Sequence, residues 1–230
     1  IDDVKELLDQ MIACNTAIAQ EGMHGDYGAN IGKVIAIRKD LPSLLKAYAA
    51  AGSDARMNGC ELPVVINSGS GNQGLTVSVP LIIYAEREHL DKEKLYRALV
   101  ISNLTAIHLK TEIGRLSAFC GAVSAGAACG AGLAYLKDAS EEVMNHTIVN
   151  ALAITSGIIC DGAKASCAAK IAVSVEAGIL GYDMYMNGQQ FYGGDGIISK
   201  GIENTIHNIG VLGSQGMAST DQEIIKIMCE

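Results

Sequence analysis

The segment from Leu116 to Leu136 runs for 21 residues without a charge, long enough to cross a bilayer as a helix. Its composition argues against that: 7 of the 21 are Ala, 4 are Gly, 2 are Ser and only 3 are Leu. Such a stretch is too weakly apolar to insert alone, and the chain has no second span to support it. What remains is a helix buried on all sides in a helical core. The rest of the chain points the same way. With no Trp, 2 Phe and 26 Gly, the core must be built from small residues with backbones in close approach. Hydrophobic residues are 49% of the 230, which supports a sizeable core and argues against disorder. A net charge of −8 makes nucleic acid and anionic membranes poor partners.

Helix signals dominate elsewhere. Val4, Leu7, Leu8, Met11, Ile12 and Ile18 recur at helical spacing over residues 3–20, with Gly22 as a stop. Residues 22–33 are Gly-rich and read as a loop. Pro42 opens a helix through Ala50, Asp91 caps one running to about Lys110, and 111–137 is a helical segment broken near Cys120-Gly121. Ser140, with Glu141 and Glu142 in the first turn, starts a helix ending near Cys160. Residues 163–180 and 200–212 read as two more, and Thr220-Asp221-Gln222-Glu223 is a capping box before Ile224. Val64–Ile66 reads as a short strand, and 183–193, with Asn187-Gly188 at its turn, as a hairpin. The expectation is a mainly α chain: a single helical domain over 1–230 with a few short strands or one hairpin.

Two places could carry chemistry. Cys160 and Cys167 flank Asp161-Gly162-Ala163-Lys164-Ala165-Ser166, with Cys160 before the Asp161-Gly162 bend and Cys167 on the second helical turn after it. Helix N-terminal amides and Lys164 would favour a thiolate there. Free Cys is also among the most buried residue types, so two small core residues are the competing reading. Cys120 and Cys129 lie nine residues apart and face opposite sides of a regular helix. At most one of them joins a common site unless the helix breaks at Gly121 or Gly126. Three thiols in apolar surroundings suit an iron–sulfur cluster better than zinc, for which no fourth Cys or His stands at suitable spacing.

The second place is Ser68-Gly69-Ser70-Gly71-Asn72-Gln73-Gly74. Its glycines let backbone amides approach a ligand, Ser68, Ser70, Asn72 and Gln73 add donors, and a carboxylate is the natural guest. A plain turn is the alternative, and the loop lacks the Lys-Ser/Thr ending of a phosphate-binding motif. The five His show no metal-ligand spacing, and Cys14, Cys60 and Cys229 read as structural. Seven cysteines without regular spacing suit free thiols in a reducing compartment, so a cytoplasmic location is expected.

Several stretches together form a pattern: Thr111-Glu112-Ile113-Gly114-Arg115-Leu116-Ser117-Ala118-Phe119-Cys120-Gly121, the segment from Ile159 through Cys160 and Cys167 to Ala168, the Ser68–Gly74 loop, Gly193-Gly194-Asp195-Gly196, and Gly216-Met217-Ala218-Ser219-Thr220-Asp221. Over nearly the whole chain these resemble the iron–sulfur L-cysteine desulfidases and their uncharacterised bacterial relatives, similar in turn to the α part of L-serine dehydratases. The resemblance implies a mostly helical catalytic domain with a [4Fe–4S] cluster. By position, its ligands are Cys120, Cys160 and Cys167, leaving out Cys129, and the fourth iron is open to substrate.

The implied reaction is α,β-elimination on a small L-amino acid without pyridoxal phosphate, for which the chain shows no convincing site. L-cysteine would give pyruvate, ammonia and sulfide; L-serine would give pyruvate and ammonia. On this reading the Ser68–Gly74 loop borders the cluster cavity and holds the substrate carboxylate. Lys164 would balance the cluster's charge or contact that carboxylate, and it is the first residue to test should the base lie within the chain.

Members of the resembled family extend further at the N-terminus, so the chain resembles their C-terminal, cluster-bearing portion. The general base is then expected in the N-terminal portion, on the same chain or a separate one. The expected partners are that portion and a small amino acid, with a homodimer left open, and the cluster is expected to be lost readily on purification. A non-catalytic cluster- or metal-binding amino-acid sensor is the competing class, and a structural zinc protein a weaker one.

Overall fold

The uncharged segment forms the helix around which the others assemble. The computed structural model describes residues 1–114 and 117–230; Arg115 and Leu116 of the motif quoted above lie outside the described residues. In order the helices are α1 (Lys5–His24), α2 (Ile31–Ala36), α3 (Leu41–Met57), α4 (Gly71–Arg87), α5 (Lys92–Ile113), α6 (Gly121–Leu136), α7 (Glu141–Thr155), α8 (Cys167–Met186), α9 (Ile202–Val211) and α10 (Ala218–Cys229). A π-helical turn at Leu212–Gly216 joins the last two. No helix among the described residues is long and apolar enough to cross a membrane.

Every residue of α6 except Gly121 and Tyr135 is buried, and α4, α5, α7 and α8 all pack against it. Small residues make this possible. A Cβ on Gly126 would stand 2.3 Å from the Ser174 carbonyl oxygen, and one on Gly178 only 2.5 Å from the Gly126 carbonyl oxygen. Gly126 and Gly130 on α6, like Ser174 and Gly178 on α8, are four residues apart and share a helix face. The two backbones therefore meet directly, and packing density replaces side-chain bulk as the source of cohesion.

Helix starts follow local chemistry. Asp40, Asp91 and Ser140 each accept a hydrogen bond from the backbone N–H three residues on, at 2.8, 2.8 and 3.4 Å. Pro42 sits in the first turn of α3, where its missing N–H costs nothing.

Other expectations need correcting. Gly22 does not stop α1, which runs on to His24; its lack of a side chain admits the Ala51 carbonyl oxygen, 2.0 Å from where a Cβ would lie. α3 continues past Ala50 to Met57, while α7 ends at Thr155. The expected hairpin is absent: α8 continues to Met186, and Asn187-Gly188 ends it, with Gly188 in the left-handed region at φ 72°. Val64–Ile66 is not a strand; the β-pairing among the described residues is two isolated bridges, Asn67–Ser70 and Phe119–Ile159. α10 begins at Ala218, ahead of the expected capping box, and Thr220 lies inside it.

Candidate functional site

Three helix N-termini meet at one cavity. α4 contributes Ser70, Asn72 and Gln73, α6 contributes Cys120, Gly121 and Ala122, and α8 contributes Cys167, Lys170 and Ile171. The cavity holds about 310 Å³. The positive ends of the helix dipoles make such a meeting point electropositive. Neither Cys120 before α6 nor Ser166 before α8 caps its helix with a side-chain hydrogen bond. Arg56, Lys110 and Lys170 add three cationic side chains to the wall, a local positive field in a chain of net charge −8.

The cysteines arrive by distinct routes. Cys120 N donates to the Ile158 carbonyl at 3.2 Å and Cys160 N to the Ala118 carbonyl at 2.6 Å. This short antiparallel bridge at Phe119–Ile159 ties the entry of α6 to the chain leaving α7. Phe119 is fully buried beneath it, and Ser117 Oγ anchors the same segment by donating to the Gly213 carbonyl at 2.6 Å.

The Cys120 and Cys160 thiols meet. Interaction with Cys120, helped by the Gly162 amide and Lys170 and opposed by burial, holds the Cys160 thiol below its ordinary value. The same contact, together with burial, pushes the Cys120 thiol up. The chain then turns through Gly162 at φ 94°, a backbone conformation that favours glycine. Cys167 follows as the first residue of α8, not on its second turn. Its sulfur accepts from Lys164 N at 3.4 Å and donates to the Gly162 carbonyl at 3.6 Å. Cys129 stands apart, fully buried in the middle of α6, where burial raises its thiol.

The Ser68–Gly74 segment divides in two. Asn67–Ser70 form a tight turn, and Gly71 already opens α4. Side chains from two other helices position the turn: Asn15 of α1 accepts from Val65 N at 2.8 Å, and Asn67 Nδ2 donates to Asn103 Oδ1 of α5 at 2.9 Å. Ser70 lines the cavity and caps α4, accepting from Gln73 N at 3.4 Å. Asn72 accepts from the Arg56 guanidinium at 3.3 Å. Gln73 is buried against Gly121, and its Oε1 has no hydrogen-bond partner among the described residues. Ser68 faces elsewhere: it lines a neighbouring cleft and donates to Asn67 Oδ1 at 2.8 Å. Lys164 is exposed and outside the cavity wall.

The three wall cations were not singled out in the sequence. Lys110 falls in phase with Leu99, Ser102, Ala106 and Ile113 on the buried face of α5, so a lysine in an apolar stripe was the available signal. Burial lowers its pKa. Burial also works against the charge of Lys170, but the ion pair with Asp161 outweighs it and holds the ammonium above its ordinary value. The same pair holds Asp161 below the usual carboxylate range.

The donor set is sulfur only, and its surroundings attract negative charge. Both properties suit a thiolate-ligated iron–sulfur cluster. Among the described residues no three or more His, Cys, Asp or Glu side chains are gathered closely enough to hold a single metal ion.

These features define a helical protein with a thiol-lined, anion-attracting pocket where helix N-termini meet. The chain belongs to the serine dehydratase alpha chain family, whose model matches residues 1–226, and is thereby related to the lyases of that name. Among curated proteins it is similar to UPF0597 proteins from several bacteria. It is 64% identical to one from Desulfitobacterium hafniense over 99% of this chain and 54% of the relative. It is 51% identical to one from Finegoldia magna over 100% and 55%, and 48% identical to one from Treponema denticola over 99% and 54%. The chain thus spans about half the length of the curated relatives it matches. No solved structure matches it.

Proposed function

We propose that this cavity is where the full-length protein carries out α,β-elimination on a small L-amino acid, turning L-cysteine into pyruvate, ammonia and sulfide or L-serine into pyruvate and ammonia. One observation carries the reading: Cys120, Cys160 and Cys167 line a single cavity together with Ser70, Asn72 and Gln73. Membership of the serine dehydratase alpha chain family supports the reaction type. Held by the three cysteines, a [4Fe–4S] cluster would supply a Lewis-acidic iron that makes the β-thiol or β-hydroxyl a better leaving group.

The chain's own residues bind and orient. The N-terminal ends of α6 and α8 and the wall cations draw the substrate's carboxylate in. Phe119 and Ile171 contribute apolar wall that limits water. A base removes the α-proton, the β-substituent leaves with the bonding electrons, and the resulting aminoacrylate takes up water to give pyruvate and ammonia. The cavity wall holds no carboxylate or imidazole among the described residues, and we assign the base to the part of the protein outside this chain. That same observation favours a second reading, an amino-acid sensor that binds without turnover.

The test is anaerobic purification of the full-length protein, with iron, acid-labile sulfide and pyruvate measured across a panel of L-amino acids. The expected result is bound iron and sulfide, with pyruvate from L-cysteine or L-serine. Residues 1–230 alone should be slower by about 10²–10⁴ and poor in iron. Binding of an amino acid without pyruvate would establish the sensor; neither binding nor pyruvate would overturn both readings.

A further inference from the structure

Two largely buried side chains of the cavity are incompletely matched among the described residues, Lys110 having no ion pair and Gln73 Oε1 no donor. Lys110 enters from the last turn of α5 with 7% of its surface exposed. No carboxylate of the described residues is within ion-pair distance of it; Asp221 and the Cys120 and Cys160 sulfurs act on it only through longer-range charge. A buried ammonium without an anion is costly, and so is a buried amide carbonyl without a donor. Gln73 supplies the second: it is also 7% exposed, and its Oε1 is buried with no partner among the described residues. Both line the same cavity of about 310 Å³.

We propose that the ligand is held as a zwitterion, its carboxylate on the Lys110 ammonium and its α-ammonium on the Gln73 carbonyl. The inference rests on the reading above that an amino acid occupies this cavity, and it adds which groups of the amino acid are read and by which residues. A short molecule carrying one anion and one protonated amine satisfies both side chains at once. Arg56, held by Asn72 Oδ1 at 3.3 Å, lines the same cavity. Amides, esters and N-acyl derivatives each remove one of the ligand's two charges, replace a charge-assisted hydrogen bond by a weaker neutral one, and are disfavoured for that reason. The site therefore selects free α-amino acids over peptide-bound residues.

The test uses the full-length protein and L-alanine, which carries both groups but no leaving group, so binding is measured without turnover. Calorimetric titration compares L-alanine with L-alaninamide, N-acetyl-L-alanine and propionate. Wild-type protein should bind L-alanine at least about tenfold more tightly than each of the others, the scale of one charge-assisted hydrogen bond. Lys110→Met should bring L-alanine down to the level of L-alaninamide, whereas Lys110→Arg should keep the preference. Gln73→Leu should abolish the preference over propionate.

Equal wild-type binding of L-alanine and L-alaninamide overturns the proposal, as does a Lys110→Met protein that keeps the carboxylate preference. Iron is measured on every variant: loss of iron in Lys110→Met with the preference intact would assign Lys110 to the cluster instead. Should that variant fail to fold, the wild-type ligand series alone decides. Failures of the two readings are separable. The expected ligand series with no pyruvate from any amino acid sinks elimination alone. Pyruvate formation with preferences unchanged in both variants sinks the zwitterion assignment alone.

Discussion

α6 and α8 do opposite things at their middles and at their N-terminal ends. At the middle, Gly126 and Gly178 bring two backbones together with no room for a methyl group. At the ends, Cys120 and Cys167 belong to the wall of a cavity containing a buried lysine and an amide oxygen without a partner. The middle contributes stability through dense contact, and the ends border a cavity into which α5 and α4 bring Lys110, without an ion pair, and Gln73, whose Oε1 has no donor among the described residues. One pair of helices thus supports a costly site because the neighbouring turns are packed as tightly as backbones allow.

The largest expected effect breaks the packed half. Gly126→Val should cost about 3 kcal/mol or more, or prevent folding, because the obstacle is the Ser174 backbone, which cannot move aside as a side chain could. Gly157→Ala, with nothing within 4 Å of the new methyl, should stay within about 0.5 kcal/mol of wild type. Urea unfolding monitored by circular dichroism measures both. Equal costs would show that the α6–α8 contact is not where the stability resides.

Next in size, cysteine substitutions should split along the same line. Replacing Cys120, Cys160 or Cys167 by Ser should reduce iron in the anaerobically purified full-length protein at least about tenfold while leaving the fold intact. Cys129→Ser should keep the iron and lose about 1–3 kcal/mol of stability, since it places a hydroxyl in a fully buried position. Iron loss in Cys129→Ser without loss of stability would reverse the assignment of the two regions.

The sequence made different parts of the two regions legible. Pro42, Asp91 and Ser140 announced their helices because the chemistry of a helix start lies within its first few residues. The small-residue composition of 116–136 required a close-packed helix, and α6 is that helix. Gly22 misled because its reason is Ala51 on another helix, a partner no local window contains. Asn187-Gly188 misled because a left-handed glycine serves a hairpin turn and a helix end equally well.

At the site, the cysteine segments and the Ser68–Gly74 stretch stood out by composition, whereas Arg56, Lys110 and Lys170 were not singled out. Lys110 alone has a local sign, its phase with the apolar face of α5; for Arg56 and Lys170 the place in the wall is decided by tertiary packing. The placing of Ser68 outside the cavity follows from a turn that Asn67 and Asn103 anchor across 36 residues.

A smaller effect sharpens the boundary between the two regions. Gly121 opens α6 where the packed helix becomes the cavity wall, and a Cβ there would meet the Gln73 amide head at 2.6 Å. That neighbour is the end of a flexible side chain, so Gly121→Ala should change stability by less than about 1 kcal/mol. It should instead push the Gln73 head out of place and weaken L-alanine binding several-fold. A stability loss as large as that of Gly126→Val would show that the packed region extends to the cavity itself.

The smallest effect concerns a carboxylate placed in the packed region. Asp54 of α3 is buried; its Oδ2 accepts from Gly32 N at 2.9 Å, and its Oδ1 has no partner among the described residues. Burial raises its pKa, and the Gly32 and Ile31 amides at the start of α2 offset that only in part. With the folded value above the unfolded one, there is a window in which the unfolded chain has released a proton that the folded chain still holds. Stability therefore falls as pH rises through that window, and the loss is complete above the folded value. Asp54→Asn keeps an acceptor for Gly32 N–H and removes the charge. Urea titrations across a pH series should show the variant equal to wild type below the ordinary carboxylate range and increasingly more stable than it above. If the difference instead turned negative at high pH, the carboxylate's hold on the α2 amides would outweigh its burial, and this charge would be stabilising the region that otherwise depends on dry contact.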